Sequence, residues 1–172
     1  IVPHIFEDDF CKELIAIYDS EGGEDSGFMR TDAATGKTVS KLDHSFKRRR
    51  DCSIKRDDVR NAINTKIQRR LVPEIRKAFQ FHVTRIERHL IACYDAGEGG
   101  FFRAHRDDTS KGTAHRRFAV TINLNAEDYE GGDLRFPEFD SRFYRAPTGG
   151  AIVFSCSLLH EVWPVVKGRR FC

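Results

Sequence analysis

Apolar residues recur at the spacing of an α-helix in two stretches of the first half of the chain. The first stretch, residues 8–20, begins with acidic residues, which suit the start of a helix. Its apolar positions share one face and are Phe10, Leu14, Ile15 and Tyr18. The second stretch, residues 57–79, carries an apolar residue at every fourth position from Val59 to Phe79. Because Pro73 interrupts it, the pattern predicts one kinked helix or two abutting helices.

The pattern changes to that of β-strands from about residue 83 onward. Strands are predicted at residues 85–94, 118–125, 134–137, 151–154 and 159–165 and from residue 169, with turn residues between them. Helices followed by many short strands favour an α+β, mainly β protein, in which N-terminal helices buttress a β-sandwich or barrel. With 172 residues and 40% hydrophobic content, the chain predicts a single domain. Residues 1–82 would form its helical and variable loop region, and residues 83–172 its strand-rich core.

Residues 28–50 have a weaker pattern. Residues 31–37 have the composition of a turn and predict the tip of a hairpin. The basic run Lys47–Arg50 is interpreted as a solvated loop or strand end, and the alternative is an electrostatic contact with an acidic partner.

Charge and cysteine content exclude some functional classes. Charged residues make up 32% of the chain, but the net charge of +3 is too small to indicate nucleic-acid binding by itself. Five scattered cysteines without a Cys-x-x-Cys motif predict reduced thiols in a cytoplasmic protein. No signal peptide or membrane-spanning run is evident, so no membrane partner is expected. Because the chain begins without Met and stops inside a predicted strand, we expect it to be part of a longer protein.

The candidate chemistry lies in His105-Arg106-Asp107 and in His160. Side chains alternate along a strand, so His105 and Asp107 project to the same side and Arg106 to the other. Two neighbouring ligands and one distant histidine form a 2-His-1-carboxylate set. Such a set leaves coordination positions open and suits the non-haem Fe(II) oxygenases.

Three other residues compete with this assignment. Asp108 adjoins Asp107, but it would point to the opposite face of a strand. His115 lies among polar residues and is interpreted as a surface histidine, whereas His89 is interpreted as structural or exposed.

Four sequence motifs surround the candidate ligands in a fixed order. They are Leu90–Tyr94 before a glycine-rich loop, Phe102–Asp107, Gly131–Phe136 and Leu159–Arg170. Together they resemble the prolyl 4-hydroxylase-like branch of the 2-oxoglutarate/Fe(II)-dependent dioxygenases, over about residues 83–172. The resemblance implies a double-stranded β-helix (jelly-roll) core with iron at its open end. It also implies 2-oxoglutarate as cosubstrate, O₂, and ascorbate as a reductant.

By the same resemblance, His105, Asp107 and His160 are the catalytic iron ligands. A cation is needed for the distal carboxylate of 2-oxoglutarate, and Arg170 holds the family's position for it. The planar guanidinium of arginine suits a paired contact with a carboxylate. Arg169 is the alternative if the strand is bulged.

Three more residues are implied in cosubstrate binding. Tyr94 matches a family tyrosine near the iron and the cosubstrate. The better-studied relatives often carry another tyrosine on the strand over residues 118–125, whereas Asn123 stands at that position here. Thr121 or Asn123 is therefore expected to contribute a hydroxyl or an amide.

The implied reaction converts 2-oxoglutarate into succinate and CO₂ and hydroxylates a substrate C–H bond. A peptidyl proline is the first expectation, and a small molecule is an alternative substrate. Alkylated nucleic acid is a further alternative, but the low net charge and the lack of an aromatic stacking platform argue against it. A catalytically silent metal-binding β-barrel is a last alternative, against which the intact ligand set and Arg170 argue. The sequence leaves the oligomeric state open.

Overall fold

The computed structural model describes residues 1–172 as three α-helices, one 3₁₀ turn (Ala96–Glu98) and fifteen short strands. Helix α1 spans Asp8–Glu21, α2 spans Asp57–Arg70 and α3 spans Val72–Phe79. Both predicted helical stretches are confirmed. The interruption falls at Leu71, because Pro73 occupies the first turn of α3, where a backbone N–H is not needed.

The strands are short and all pair antiparallel. Their bounds are β1 (Glu24–Asp25), β2 (Phe28–Thr31), β3 (Thr38–Lys41), β4 (Lys47–Arg48), β5 (Arg50–Ser53), β6 (Leu90–Asp95), β7 (Phe101–His105), β8 (Phe118–Ile122), β9 (Glu130–Gly131), β10 (Leu134–Arg135), β11 (Phe143–Tyr144), β12 (Ala151–Ser155), β13 (His160–Val162), β14 (Val165–Lys167) and β15 (Arg169–Phe171). One sheet has the order β1-β5-β6-β15 and another has the order β11-β10-β13-β7-β4. Three further ladders have two strands each, β8 with β12, β9 with β14 and β2 with β3.

Two apolar clusters hold these elements together. The first joins the three helices to the four-stranded sheet, and Leu14, Ile63, Leu71 and Ile91 are buried in it. The second lies beneath the five-stranded sheet and includes Phe102 and Phe154. The helices therefore support one sheet from outside, and the second cluster supports the strands that carry the candidate ligands.

Several predicted strands are shorter in the structure, for local reasons. The strand predicted over residues 85–94 is confirmed only from Leu90 to Asp95, and residues 80–89 have no regular structure. Asn123 and Leu124 bond to Gly150 and Phe171 instead of continuing β8. Residues 159–165 form two strands, β13 and β14, because Pro164 between them has no N–H to donate.

The basic run at residues 47–50 is not a solvated loop. Lys47 and Arg48 form β4, and Arg50 begins β5, on the neighbouring sheet. Lys47 has only 3% of its surface exposed, and the side chain of Arg49 is also largely buried. The hairpin predicted around residues 31–37 is confirmed as β2 and β3, joined by residues 32–37.

Two predictions about thiols and membranes can be compared with the structure. All five cysteines are free thiols. None of the three helices combines the length and the apolar character needed to cross a bilayer.

Candidate metal and cosubstrate site

The structure brings His105, Asp107 and His160 together. Their nitrogen and oxygen ligand atoms all lie within 4.8 Å of one another. Nε2 of His105 lies 3.6 Å from one carboxylate oxygen of Asp107, and Nε2 of His160 lies 3.6 Å from the other. Strands β7 and β13 are neighbours, and their register places His105 directly opposite His160.

Backbone carbonyls fix both imidazole rings. Nδ1 of His105 donates to the carbonyl of Arg103 at 2.7 Å, and Nδ1 of His160 donates to the carbonyl of Leu158 at 3.0 Å. Because a carbonyl oxygen only accepts, each Nδ1 carries the proton and each Nε2 keeps a free lone pair. This is the tautomer that a metal-binding histidine needs.

Asp107 reaches the cluster from a loop and not from a strand. Strand β7 ends at His105, and the N–H of Asp107 donates to the carbonyl of Cys156 at 2.9 Å. Arg116 donates to the carbonyl of Asp107 at 3.4 Å and pairs with Glu87. The expected alternation of side chains along a strand correctly predicted that His105 and Asp107 lie together. The position of the Asp107 carboxylate, however, is set by the loop that follows β7.

Burial keeps the first histidine neutral. Burial, together with the nearby His160, lowers the pKa of His105 to about 3. The His105 ring also stacks on Phe102, with centroids 3.6 Å apart. A neutral imidazole at physiological pH is the form that binds a metal.

The competing residues lie outside this cluster. Asp108 contributes no atom to the metal-ligand group. His115 is 3.4 Å from Glu87, and His89 bonds to Asn64 at 2.8 Å.

Arg170 is buried, and its hydrogen bonding is incomplete. Only 3% of the residue is exposed, and its Nη2 donates to the hydroxyl of Thr121 at 3.3 Å. Its Nη1 has no hydrogen-bond partner. A buried guanidinium with an unused donor is costly unless an acceptor occupies the space beside it. Arg169 instead points outward and pairs with Asp19 at 2.9 Å.

Tyr94 lies between two guanidinium groups. Arg170 is 5.1 Å from the centroid of its ring, and Arg49 is 5.7 Å from it. Arg49 also donates to the Tyr94 hydroxyl at 3.4 Å and pairs with Asp51. Sequence reasoning missed Arg49. The available signal was its spacing of two residues from Lys47, which would place both side chains on the same side of an extended segment.

Asn123 does not line the cavity that contains the three ligands. Its amide nitrogen donates to the carbonyl of Ala146 at 2.7 Å, and its oxygen accepts from the Tyr129 hydroxyl at 3.1 Å. Both of its polar atoms are thus already used. Of the two residues that the sequence left open, Thr121 is the one that lines the cavity and touches Arg170.

A cavity of about 1210 Å³ contains the candidate ligand site. Its wall includes the three candidate ligands, Arg170 and Tyr94. The space is large enough for a small dicarboxylate beside the metal position and for part of a second, larger molecule.

The C-terminal half of the chain, which carries the candidate ligands, is similar in sequence to known proteins. Residues 89–172 match the 2OG-Fe(II) oxygenase superfamily. A PKHD-type hydroxylase from Synechococcus sp. (strain JA-2-3B'a(2-13)) is 35% identical over 88 residues, which cover 48% of this chain and 38% of the relative. A PKHD-type hydroxylase from Pseudomonas fluorescens is 36% identical over 90 residues, covering 48% of this chain and 39% of the relative. The similarity thus spans about two fifths of the length of these relatives.

Solved structures share the fold at low sequence identity. A viral collagen prolyl hydroxylase from Paramecium Bursaria Chlorella virus-1 superposes with a TM-score of 0.69 and 16% identity, covering 99% of this chain and 90% of the other. A Pseudomonas putida prolyl-4-hydroxylase superposes with a TM-score of 0.59 and 20% identity, covering 98% and 85%. At these identities the likeness concerns the fold alone.

The conserved fold and the sequence match agree with the ligand geometry. The resemblance of the motifs to the 2-oxoglutarate/Fe(II) oxygenase superfamily is confirmed by the family match over residues 89–172, just under half of the chain. The similar sequences are PKHD-type hydroxylases and the similar solved structures are prolyl hydroxylases, which agrees with the resemblance to the prolyl 4-hydroxylase-like branch. The cofactors of this family are Fe(II), 2-oxoglutarate and O₂.

Proposed function

We propose that this protein is a 2-oxoglutarate- and Fe(II)-dependent dioxygenase that hydroxylates a C–H bond of a peptidyl, prolyl-type substrate. Succinate and CO₂ would be the products from 2-oxoglutarate. One observation carries the proposal: three metal-ligand atoms converge in a cavity that also contains a buried arginine with an unused donor. Neither feature alone would require both a metal and an anionic cosubstrate.

His105, Asp107 and His160 would hold the iron. Two imidazole nitrogens and one carboxylate fit Fe(II) and leave positions open for other ligands. The bound iron would supply the activation of O₂ that no side chain can provide. The protein would keep the two rings oriented through the carbonyls of Arg103 and Leu158.

Arg170, Thr121 and Tyr94 would bind 2-oxoglutarate. The free Nη1 and the Thr121-bound Nη2 of Arg170 offer two donors to the distal carboxylate. The Tyr94 hydroxyl is a further donor, and it lies in the same cavity. Asn123 would act indirectly, because it fixes the Tyr129 hydroxyl.

We further propose that residues 1–172 form one domain with a double-stranded β-helix as its core. The likeness to the viral enzyme over 99% of the chain supports this arrangement. So does the contribution of the N-terminal strands β4 and β5 to both large sheets. Residues 1–82 are thus part of the sheet framework and also supply the helices that support it.

A peptide substrate is supported by one structural relative. A prolyl hydroxylase from Trichoplax adhaerens superposes with a TM-score of 0.65 and was solved with a peptide fragment of a hypoxia inducible factor oxygen degradation domain. The cavity described above extends from the ligands to exposed residues at the surface, so an extended chain can enter it.

The test is succinate release in the presence of Fe(II), 2-oxoglutarate and proline-containing peptides. Asp107→Ala and His160→Ala should each reduce 2-oxoglutarate turnover to background, because each removes one of three ligands. Asp108→Ala is the matched control, since it removes the adjacent carboxylate, which lies outside the ligand group. Turnover that persists in both ligand variants would disprove the metal assignment.

A further inference from the structure

The wall of the cavity carries a strong excess of positive charge. Arginine and lysine outnumber aspartate and glutamate there by nine to two. In the rest of the chain the acidic residues are in excess, by 24 to 20. The small net charge of the whole chain therefore hides a cationic cavity on an otherwise slightly acidic protein.

Most of these cations lack an acidic partner. Three of the nine are paired, Arg49 with Asp51, Arg106 with Glu138 and Arg116 with Glu87. The other six have no carboxylate within 4.0 Å, and one of them, Arg170, is assigned above to the cosubstrate. The remaining five are Arg30, Lys47, Arg85, Arg88 and Arg117.

These five cations extend from the surface towards the candidate ligands. Arg85 and Arg88 are exposed and belong to residues 80–89, and Arg30 is exposed on β2. Lys47 is buried, and its Nζ lies 4.8 Å from the centroid of the Phe102 ring. Because Phe102 stacks on His105, this nitrogen lies close to the metal position.

We propose that the substrate is an acidic peptide, whose aspartate or glutamate side chains flank the residue that is hydroxylated. This inference rests on the proposed function and specifies its substrate class. The exposed cations Arg30, Arg85, Arg88 and Arg117 lie at the mouth of the cavity. They would attract an acidic segment and set its orientation.

The backbone around the mouth favours a peptide over a nucleic acid. Residues 81–88 make no backbone–backbone hydrogen bonds, so their N–H and C=O groups are free to pair with another extended chain. The two exposed phenylalanines nearby each pack against Phe118, with centroids 4.8 Å away for Phe79 and 5.3 Å for Phe81, so part of each ring is already covered. A surface for stacking bases would instead present free ring faces.

The experiment compares binding of four labelled probes to the full chain by fluorescence anisotropy. Three are short peptides with the same central proline, flanked by Asp and Glu, by Asn and Gln, or by Lys. The fourth is a single-stranded oligonucleotide of similar length. Binding is measured with and without Fe(II) and 2-oxoglutarate under anaerobic conditions. The affinities of the acidic, neutral and basic peptides can then be compared even if the metal assignment is wrong.

The acidic peptide should bind at least about tenfold more tightly than its neutral counterpart, and added salt should reduce the difference. The double variant Arg85→Gln/Arg88→Gln should weaken binding of the acidic peptide about three- to tenfold. The matched control is Arg69→Gln/Arg76→Gln, which removes two exposed, unpaired arginines from the helices and should change affinity less than about twofold. Equal affinity for the acidic and neutral peptides would overturn the proposal, and so would tighter binding of the oligonucleotide.

Discussion

At the scale of single residues, Arg170 connects the sequence motif to a physical requirement. Its guanidinium is buried, and one of its nitrogens lacks a partner. Binding of a carboxylate to such a cation is especially favourable in free energy, because the guanidinium has already lost its water in the folded protein.

We predict that Arg170→Gln raises the 2-oxoglutarate concentration needed for half-maximal turnover by about 10- to 100-fold, as expected for loss of a charged hydrogen-bonding pair. Iron binding should be almost unchanged, because Arg170 is not among the ligand atoms. Titration of 2-oxoglutarate and of Fe(II) on the same preparation measures both quantities. Arg169→Gln is the control, since that side chain pairs with Asp19 at the surface. An unaltered 2-oxoglutarate requirement in Arg170→Gln would remove the residue from the cosubstrate site.

Lys47 gives a prediction about pH. Burial lowers its pKa from 10.5 to about 7, and the neighbouring Arg49 acts in the same direction. Above pH 7 the folded protein releases this proton, while the unfolded chain keeps its own until about pH 10.5. The contribution of Lys47 to the free energy of unfolding therefore rises with pH across this window.

Relative to Lys47→Met, the metal-free protein should gain about 1–3 kcal/mol in unfolding free energy between pH 7 and pH 9. Denaturant unfolding of both proteins at several pH values provides the measurement. Profiles that run parallel over this range would show that Lys47 keeps an ordinary pKa in the fold.

Much of the candidate site could be predicted at this scale, because metal ligands must be of a few residue types at a few spacings. His105, Asp107, His160 and Arg170 were all identified from motifs, and the structure places them around one cavity. The buried position of Lys47 could not be foreseen, because it depends on pairing of β4 with a strand more than fifty residues away. Local sequence contains no information about such long-range pairing.

At the scale of elements, the turn between β14 and β15 positions Arg170. Gly168 in this turn has φ +73°, and a Cβ atom there would lie 2.4 Å from the carbonyl oxygen of Asp128. Both the left-handed conformation and the close backbone contact require glycine.

Gly168→Ala should therefore lower the free energy of unfolding by about 2–4 kcal/mol and also weaken 2-oxoglutarate binding. Gly36→Ala is a matched control, because Gly36 has φ +64° in the hairpin tip but no atom within 4 Å of its Cβ position. The control should cost only about 1 kcal/mol, from backbone strain. Thermal unfolding with and without 2-oxoglutarate compares the two variants, and equal losses would contradict the close-contact argument.

Elements whose formation depends only on the local sequence pattern were predicted more accurately than elements that need a distant partner. The two helical stretches had apolar residues at regular spacing and acidic starts, and their bounds were close to those observed. Residues 85–88 have an alternating pattern like that of a strand, but they make no backbone hydrogen bonds to a neighbouring strand. A strand needs a partner that its own sequence does not specify, whereas a helix satisfies its own backbone.

At the scale of the whole molecule, two antiparallel sheets and the helices create one cavity with two distinct chemical regions. The deep region combines the three ligand atoms with Arg170, and the mouth combines unpaired cations with free backbone groups. Under the proposed function, the deep region would hold the small cosubstrate and the mouth would hold the larger substrate. The likeness to solved prolyl hydroxylases over almost the full chain concerns the fold that surrounds this cavity.

The central claim is that one site holds both Fe(II) and 2-oxoglutarate. The most direct measurement is an anaerobic titration of the purified protein with Fe(II) and 2-oxoglutarate, followed by visible absorption. We predict a weak charge-transfer band that requires both additions, disappears in Asp107→Ala and remains in Asp108→Ala. A folded protein that binds iron but shows no such band at saturating 2-oxoglutarate would contradict the account.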